Sequence, residues 1–196
     1  MRRLHALLTT LSLALLVPSP AHASVHAVGP DAINAIIGDA SWIVQTGAPP
    51  PAGTTDAARV RVHLLHVERL LRAADTSRLE PARRIERARL LDELHAYALA
   101  GRFPRHGSDH GRRPRFIDDD GTLCAVGHLV AASAGRAAAE AIDAAHEYDF
   151  LLDMHDDAID AWAERNGFTP IELAMIQPSY DFEEGPVMPD PRPAPA

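Results

Sequence analysis

The chain contains no lysine. All 19 of its basic residues are arginine, set against 27 Asp and Glu, for a formal net charge of −8 at pH 7. An acidic balance argues against nucleic acid and anionic membrane surfaces as partners. Arginine keeps its charge and forks to carboxylates, so this surface is suited to many Arg–Asp/Glu contacts; a GC-rich coding sequence explains the missing lysine more simply. Cysteine is nearly absent too. Cys124 stands alone, which excludes an intramolecular disulfide and leaves the fold to its apolar core. Long apolar runs are missing after the N-terminus. The run Leu7–Val17 falls well short of the roughly 20 residues a membrane span needs, so no stable membrane insertion is expected.

What is present at the N-terminus reads as an export leader. Arg2 and Arg3 precede the apolar stretch, Pro18 and Pro20 break it, and Ala21-His22-Ala23 is a small-x-small cleavage site, the pattern of a secretory signal peptide over residues 1–23. Without Arg2 and Arg3 the remainder carries 17 arginines against 27 acidic residues. The expected location is periplasmic or extracellular. Residues 24–53 read as an N-terminal segment and linker, with a short apolar helix at 32–44 and the Gly/Pro-rich stretch GAPPPAG after it. Residues 54–182 read as the helical domain. Residues 183–196 are Pro-rich without a core face, and read as a disordered tail.

Within the domain, Val60, Leu64, Val67, Leu71 and Ala74 recur with helical period. Pro81 suits the first turn of a second helix, Ile85, Ala88, Leu91, Leu94 or His95, and Ala98 mark its buried face, and Gly101 suits its left-handed end. The short connection predicts an antiparallel pair. Phe116-Ile117 and the turn Asp118-Asp119-Asp120-Gly121 form a non-helical piece. Helices follow at about 123–134 and 137–146, then one capped by Asp156 or Asp157 and stopped at Gly167, and one opened by Thr169-Pro170 with Glu172. The expected architecture is all-α: a compact bundle of about five or six helices, with one short turn or strand segment before Cys124.

Two motifs carry a resemblance. The pattern Phe116-Ile117-Asp118-x-x-Gly121-x-x-Cys124-Ala125-Val126-Gly127-His128-Leu129, and the ending Gly167-x-Thr169-x-x-Glu172-Leu173-Ala174-x-Ile176-Gln177-Pro178-Ser179-Tyr180, resemble a family of bacterial proteins, many of them exported, with no established activity. The resemblance covers roughly Arg59–Tyr180 and implies a domain boundary, not a mechanism. Family members often carry Asn-Asn where this chain has His146-Glu147, so an imidazole role for His146 would be particular to this protein.

Several groups could carry chemistry. Cys124 at a helix N-terminus, with His128 one turn on, could form a nucleophile and base. The three aspartates oppose a thiolate, and the apolar run that follows favours a buried packing residue. Asp118–Gly121 lacks the ligand spacing of an EF-hand and reads as a solvated turn. His63 and His66 share a helix face, and His146, Asp149, Asp153, His155, Asp156 and Asp157 crowd together, yet neither group matches a metal-ligand signature; no metal and no cofactor is expected. His106, His110, Arg112, Arg113 and Arg115 form the one basic patch. A small anionic ligand could lie where this loop meets the 118–124 turn, with Arg112, Arg113 and Arg115 as clamps and the amides of 122–124 as donors. Against that stands pairing of the arginines with the chain's own acids. Ile176–Tyr180 is expected to dock into the core with the Tyr180 hydroxyl at the surface. The leading function is a non-catalytic binding or interaction module; the alternative is a thiol-dependent hydrolase or transferase using Cys124 and His128.

Overall fold

The computed structural model describes residues 29–105 and 111–181. The leader, the tail, His106 and His110 lie outside these. Among the described residues there are seven α-helices, one 3-10 turn and no sheet. No described helix is long and apolar enough to cross a membrane.

Two long helices form the frame. Helix α2 (Asp56–Ala73) is capped by Thr55, whose side chain accepts from the Ala58 N–H. Helix α3 (Pro81–Ala100) starts on a proline and ends at Gly101 (φ +66°), whose N–H returns to Tyr97 O. Their partners run in opposite order, Arg72 with Asp92, Glu68 with His95 and Arg61 with the Ala98 carbonyl, so the pair is antiparallel as expected. Val60, Leu64, Val67 and Leu71 are buried on α2. On α3 the buried face is Arg87, Leu90, Leu91, Leu94, Tyr97 and Ala98. Ile85 and Ala88 do not belong to it: Ala88 is exposed and Ile85 is 71% exposed. Ile85 lies two residues before Arg87, about 200° around the helix from that face.

A charged residue holds the N-terminal end of that face. Arg87 donates to Glu172 Oε2 and Oε1 at 3.0 and 2.7 Å, to Gly167 O at 2.7 Å and to Leu71 O at 3.2 Å, and its guanidinium lies 4.7 Å from the Phe168 ring centre. Burial alone would raise the Glu172 pKa, but Arg87 and the Thr169 amide outweigh it and hold the carboxylate low. The same Glu172 closes a capping box with Thr169 on helix α7 (Pro170–Ile176). One ion pair therefore joins the start of α7 to the middle of the frame.

A second packed pair, α4 (Ala125–Ala134) and α5 (Arg136–His146), turns at Gly135, and α4 packs on α3. Gly127 on α4 makes room for the preceding loop: a Cβ there would meet Phe116 Cε1 at 3.1 Å, and Phe116 is among the largest fully buried side chains. Helix α6 (Asp157–Arg165), capped by Asp156, buries Ile159, Trp162 and Ala163.

The helical unit begins earlier than Thr54. Ile33 is 1% exposed, and helix α1 (Ala40–Thr46) packs on α2. The segment is held by Asn34, fully buried, whose Nδ2 donates to the carbonyls of Ala174, Met175 and Gln177 at 2.8, 3.2 and 2.8 Å, while its Oδ1 accepts from Ile36 and Ile37 N–H at 2.9 Å. These are carbonyls at the C-terminal end of α7, which a helix leaves unpaired. Met175 O also accepts from His63 Nε2 at 2.9 Å.

His63 is fully buried, and its Nδ1 has no partner among the described residues. Burial pushes its pKa down to about 4, against a weaker upward pull from the Met175 carbonyl. The unfolded chain therefore binds a proton that the folded chain refuses. Stability is complete above about pH 6.5 and falls as pH drops towards 4, by about 3 kcal/mol in all. Urea unfolding at pH 7 and pH 5 should differ by about 2 kcal/mol more in the wild type than in His63→Gln, which keeps a donor for Met175 O and does not titrate.

Candidate functional site

The segment before α4 is a tight non-helical loop. Ile117 and Leu123 form an antiparallel bridge, Cys124 N–H donates to Phe116 O at 2.8 Å, and Gly121 (φ +78°) donates to Asp118 O. The Asp118 carboxylate is engaged inside this turn: Oδ1 accepts from Thr122 N–H at 2.7 Å and Asp120 N–H at 3.1 Å, and Oδ2 from Arg105 N–H at 3.0 Å. Asp119 pairs with Arg115, and Asp120 with Arg105. Asp143 on α5 accepts from Ile117 N–H at 2.9 Å; burial raises its pKa against that bond. Among the described residues no group of three or more His, Cys, Asp or Glu is placed to hold a metal.

Because the bridge occupies Thr122 and Leu123, the helix begins later than expected, and Cys124 is itself the N-cap. Its Sγ accepts from Gly127 N–H at 3.3 Å. The thiol is 1% exposed, and burial pushes its pKa up to about 12, outweighing the nearby amides. His128 is not its base. The imidazole points its Nε2 at Glu93 (3.8 Å) and tilts over Tyr97, with ring centres 4.9 Å apart. The geometry is that of a packing and capping residue.

The expected anion clamp is also redirected. Arg112 grips Asp56 with both terminal nitrogens and donates to Ser179 O at 2.7 Å. Arg115, 6% exposed, donates to Ile117 O at 2.7 Å, pairs with Asp119 and Glu147, and lies over the Tyr148 ring at 4.7 Å. Arg113 is exposed, and its backbone bridges to Tyr180. Arg112 and Arg115 thus act as internal fasteners. The His/Asp cluster likewise becomes a clasp, with His146 between Asp149 (2.9 Å) and Asp156 (3.4 Å), joining the end of α5 to the cap of α6. The chain end does dock, with Gln177 accepting from Leu151 N–H at 2.8 Å. Its Tyr180 hydroxyl is buried, however, and burial raises the pKa well above that of a free phenol.

A cleft of about 480 Å³ opens between α3 and the turn that precedes Cys124. One wall is the α3 face Glu93, Ala96, Tyr97 and Ala100, continued by Arg102; the other is Asp120–Leu123 with His128. Tyr97 donates to Leu123 O at 2.8 Å and fixes the two walls together. His128 is half-buried, and burial lowers its pKa, so it is neutral at pH 7; Glu93 pulls weakly the other way. The cleft overlaps the corner expected from sequence, where the 102–115 loop meets the turn. Its charged residues differ: Glu93, Arg102 and Asp120 line it. Sequence reasoning passed over Glu93 and Arg102. The signal available was the spacing of Glu93, Ala96 and Ala100, which puts two small side chains and a carboxylate on one helical face.

Fold and cleft together define an all-α domain with a surface cleft lined by charged and apolar residues, and a buried free cysteine. Comparisons with protein-family models, with curated proteins and with solved structures find no match for this chain.

The thiol geometry yields a direct expectation. At pH 7.5 iodoacetamide should label Cys124 in the native protein roughly 1,000-fold more slowly than in urea, because the buried thiol is almost wholly protonated. Native labelling at or above the rate of free cysteine would mean that the thiol is reachable and ionised.

Proposed function

We propose that this chain is an exported, non-catalytic binding module whose ligand site is the cleft between α3, the 118–123 turn and α4. The observation that carries the reading is the contrast across α4. The cleft is lined by two carboxylates, an imidazole and a guanidinium, while the one thiol that could serve a hydrolase or transferase is buried with a pKa near 12. Arg102 has no ion-pair partner among the described residues and supports a small ligand bearing an anionic group. The acidic surface favours small molecules or proteins over nucleic acid. The leader-like N-terminus supports export, and the resemblance to exported bacterial chains points the same way.

Titration with phosphate, acetate, a uronic acid and short peptides, followed by backbone amide shifts, tests this. Shifts should concentrate at residues 93–102 and 120–128. The same pattern should persist in Cys124→Ala. Absence of shifts at millimolar concentration, or turnover of an ester substrate that Cys124→Ala abolishes, would contradict the reading.

A further inference from the structure

The two ends of the cleft differ in charge. Glu93, Ala96, Tyr97 and Ala100 stand at i, i+3, i+4 and i+7 on α3, hence on one face. Arg102 follows just past the left-handed Gly101. From Glu93 to Ala100 the helix rises about 10 Å.

At the first end, the Glu93 carboxylate faces His128 Nε2 at 3.8 Å, an imidazole that burial keeps neutral at pH 7. Its other charged neighbour is Arg89, one turn back on α3 at 3.7 Å. Arg89 is already held by Glu86 at 2.6 Å. Glu93 therefore keeps unbalanced negative charge at the mouth. At the far end the situation reverses. Asp120 is paired with Arg105, and Arg102 has no partner among the described residues. Between the ends the lining is apolar: Ala96, Ala100, Leu123 and the ring of Tyr97, whose hydroxyl is already committed to Leu123 O.

We infer that the cleft takes a small zwitterion whose ammonium and carboxylate groups stand about 10 Å apart, the ammonium on Glu93 and the carboxylate on Arg102. This rests on the cleft being the binding site and specifies the class of its ligand. An extended tripeptide has that length, at about 3.4 Å per residue, and so does an unbranched amino-octanoic acid. A cleft of about 480 Å³ lies within the usual range of small-molecule sites. The small side chains of Ala96 and Ala100 leave the α3 wall open to a linear chain lying along it.

The test is calorimetric titration of the full chain with trialanine, its N-acetylated form, its C-terminal amide and amino-octanoic acid, with amide shifts recorded for each. Trialanine should bind, and blocking either end should weaken binding at least about 10-fold. Glu93→Gln should abolish the preference for a free amine only, and Arg102→Gln the preference for a free carboxylate only. Neither pattern can arise from misfolding, because each variant keeps the other preference. Tighter binding of trialanine than of amino-octanoic acid would assign the zwitterion to peptides, and equal binding to linear zwitterions in general. Blocked and free peptides that bind equally well, with shifts in the cleft, would overturn the zwitterion and keep the cleft. No shift in the cleft with any compound would overturn both.

Discussion

Asn34 holds the fold closed. A helix leaves its last carbonyls without partners, and the end of α7 lies inside the protein, where water cannot supply them. The Asn34 side chain donates to three carbonyls at that end and accepts from two amides of its own segment. His63 adds a donor from α2. The first and last parts of the domain, about 140 residues apart in the chain, are thereby fastened at one buried polar point. Ser179 extends the contact, giving its N–H to Ile33 O and its hydroxyl to Ala32 O. Because the end of α7 is fixed, Tyr180 reaches Arg113, and the loop that leads to the 118–124 turn is tied down in turn.

The lysine-free composition acquires a structural meaning at this level. Arg87, Arg112 and Arg115 are each close to fully buried at the side chain and each joins distant segments through several acceptors. A planar fork with five donors suits such a role, and a lysine would leave most of these acceptors unmet. Removing one partner of a buried pair exposes the other to an uncompensated desolvation cost. Arg115 and Asp118 shape the turn, Tyr97 fastens it to α3, and the rigid corner that results is the wall of the cleft. Arg102 lies outside this network and lines the cleft.

Much of this was legible from sequence where local chemistry decides. Thr169 with Glu172 and Gly101 cap the helices they were expected to cap, and Asp156 is one of the two residues expected to open α6, because a cap depends on residues within one turn. The stripe on α2 was equally plain. What stayed hidden depends on partners far along the chain. Asn34 sits within an apolar run, where a lone amide was a signal, but its acceptors lie at 174–177. Ile85 obeys apolar spacing yet faces outward because Arg87 takes the buried position. Cys124 moved from the first turn to the cap because its neighbours Thr122 and Leu123 pair with Ile117 and Asp118. The cleft combines two walls that no single stretch of sequence describes.

The central claim is that one buried amide closes the domain. Asn34→Leu, similar in size but unable to donate or accept, tests it most directly in urea unfolding at pH 7. Burying several unpaired carbonyls should destabilise the protein by about 3–5 kcal/mol. Faster hydrogen exchange should appear first at Ile36, Ile37 and Ser179, whose amides depend on this junction. A loss below about 1 kcal/mol, with those amides still protected, would show that the first and last parts of the domain are held by something else.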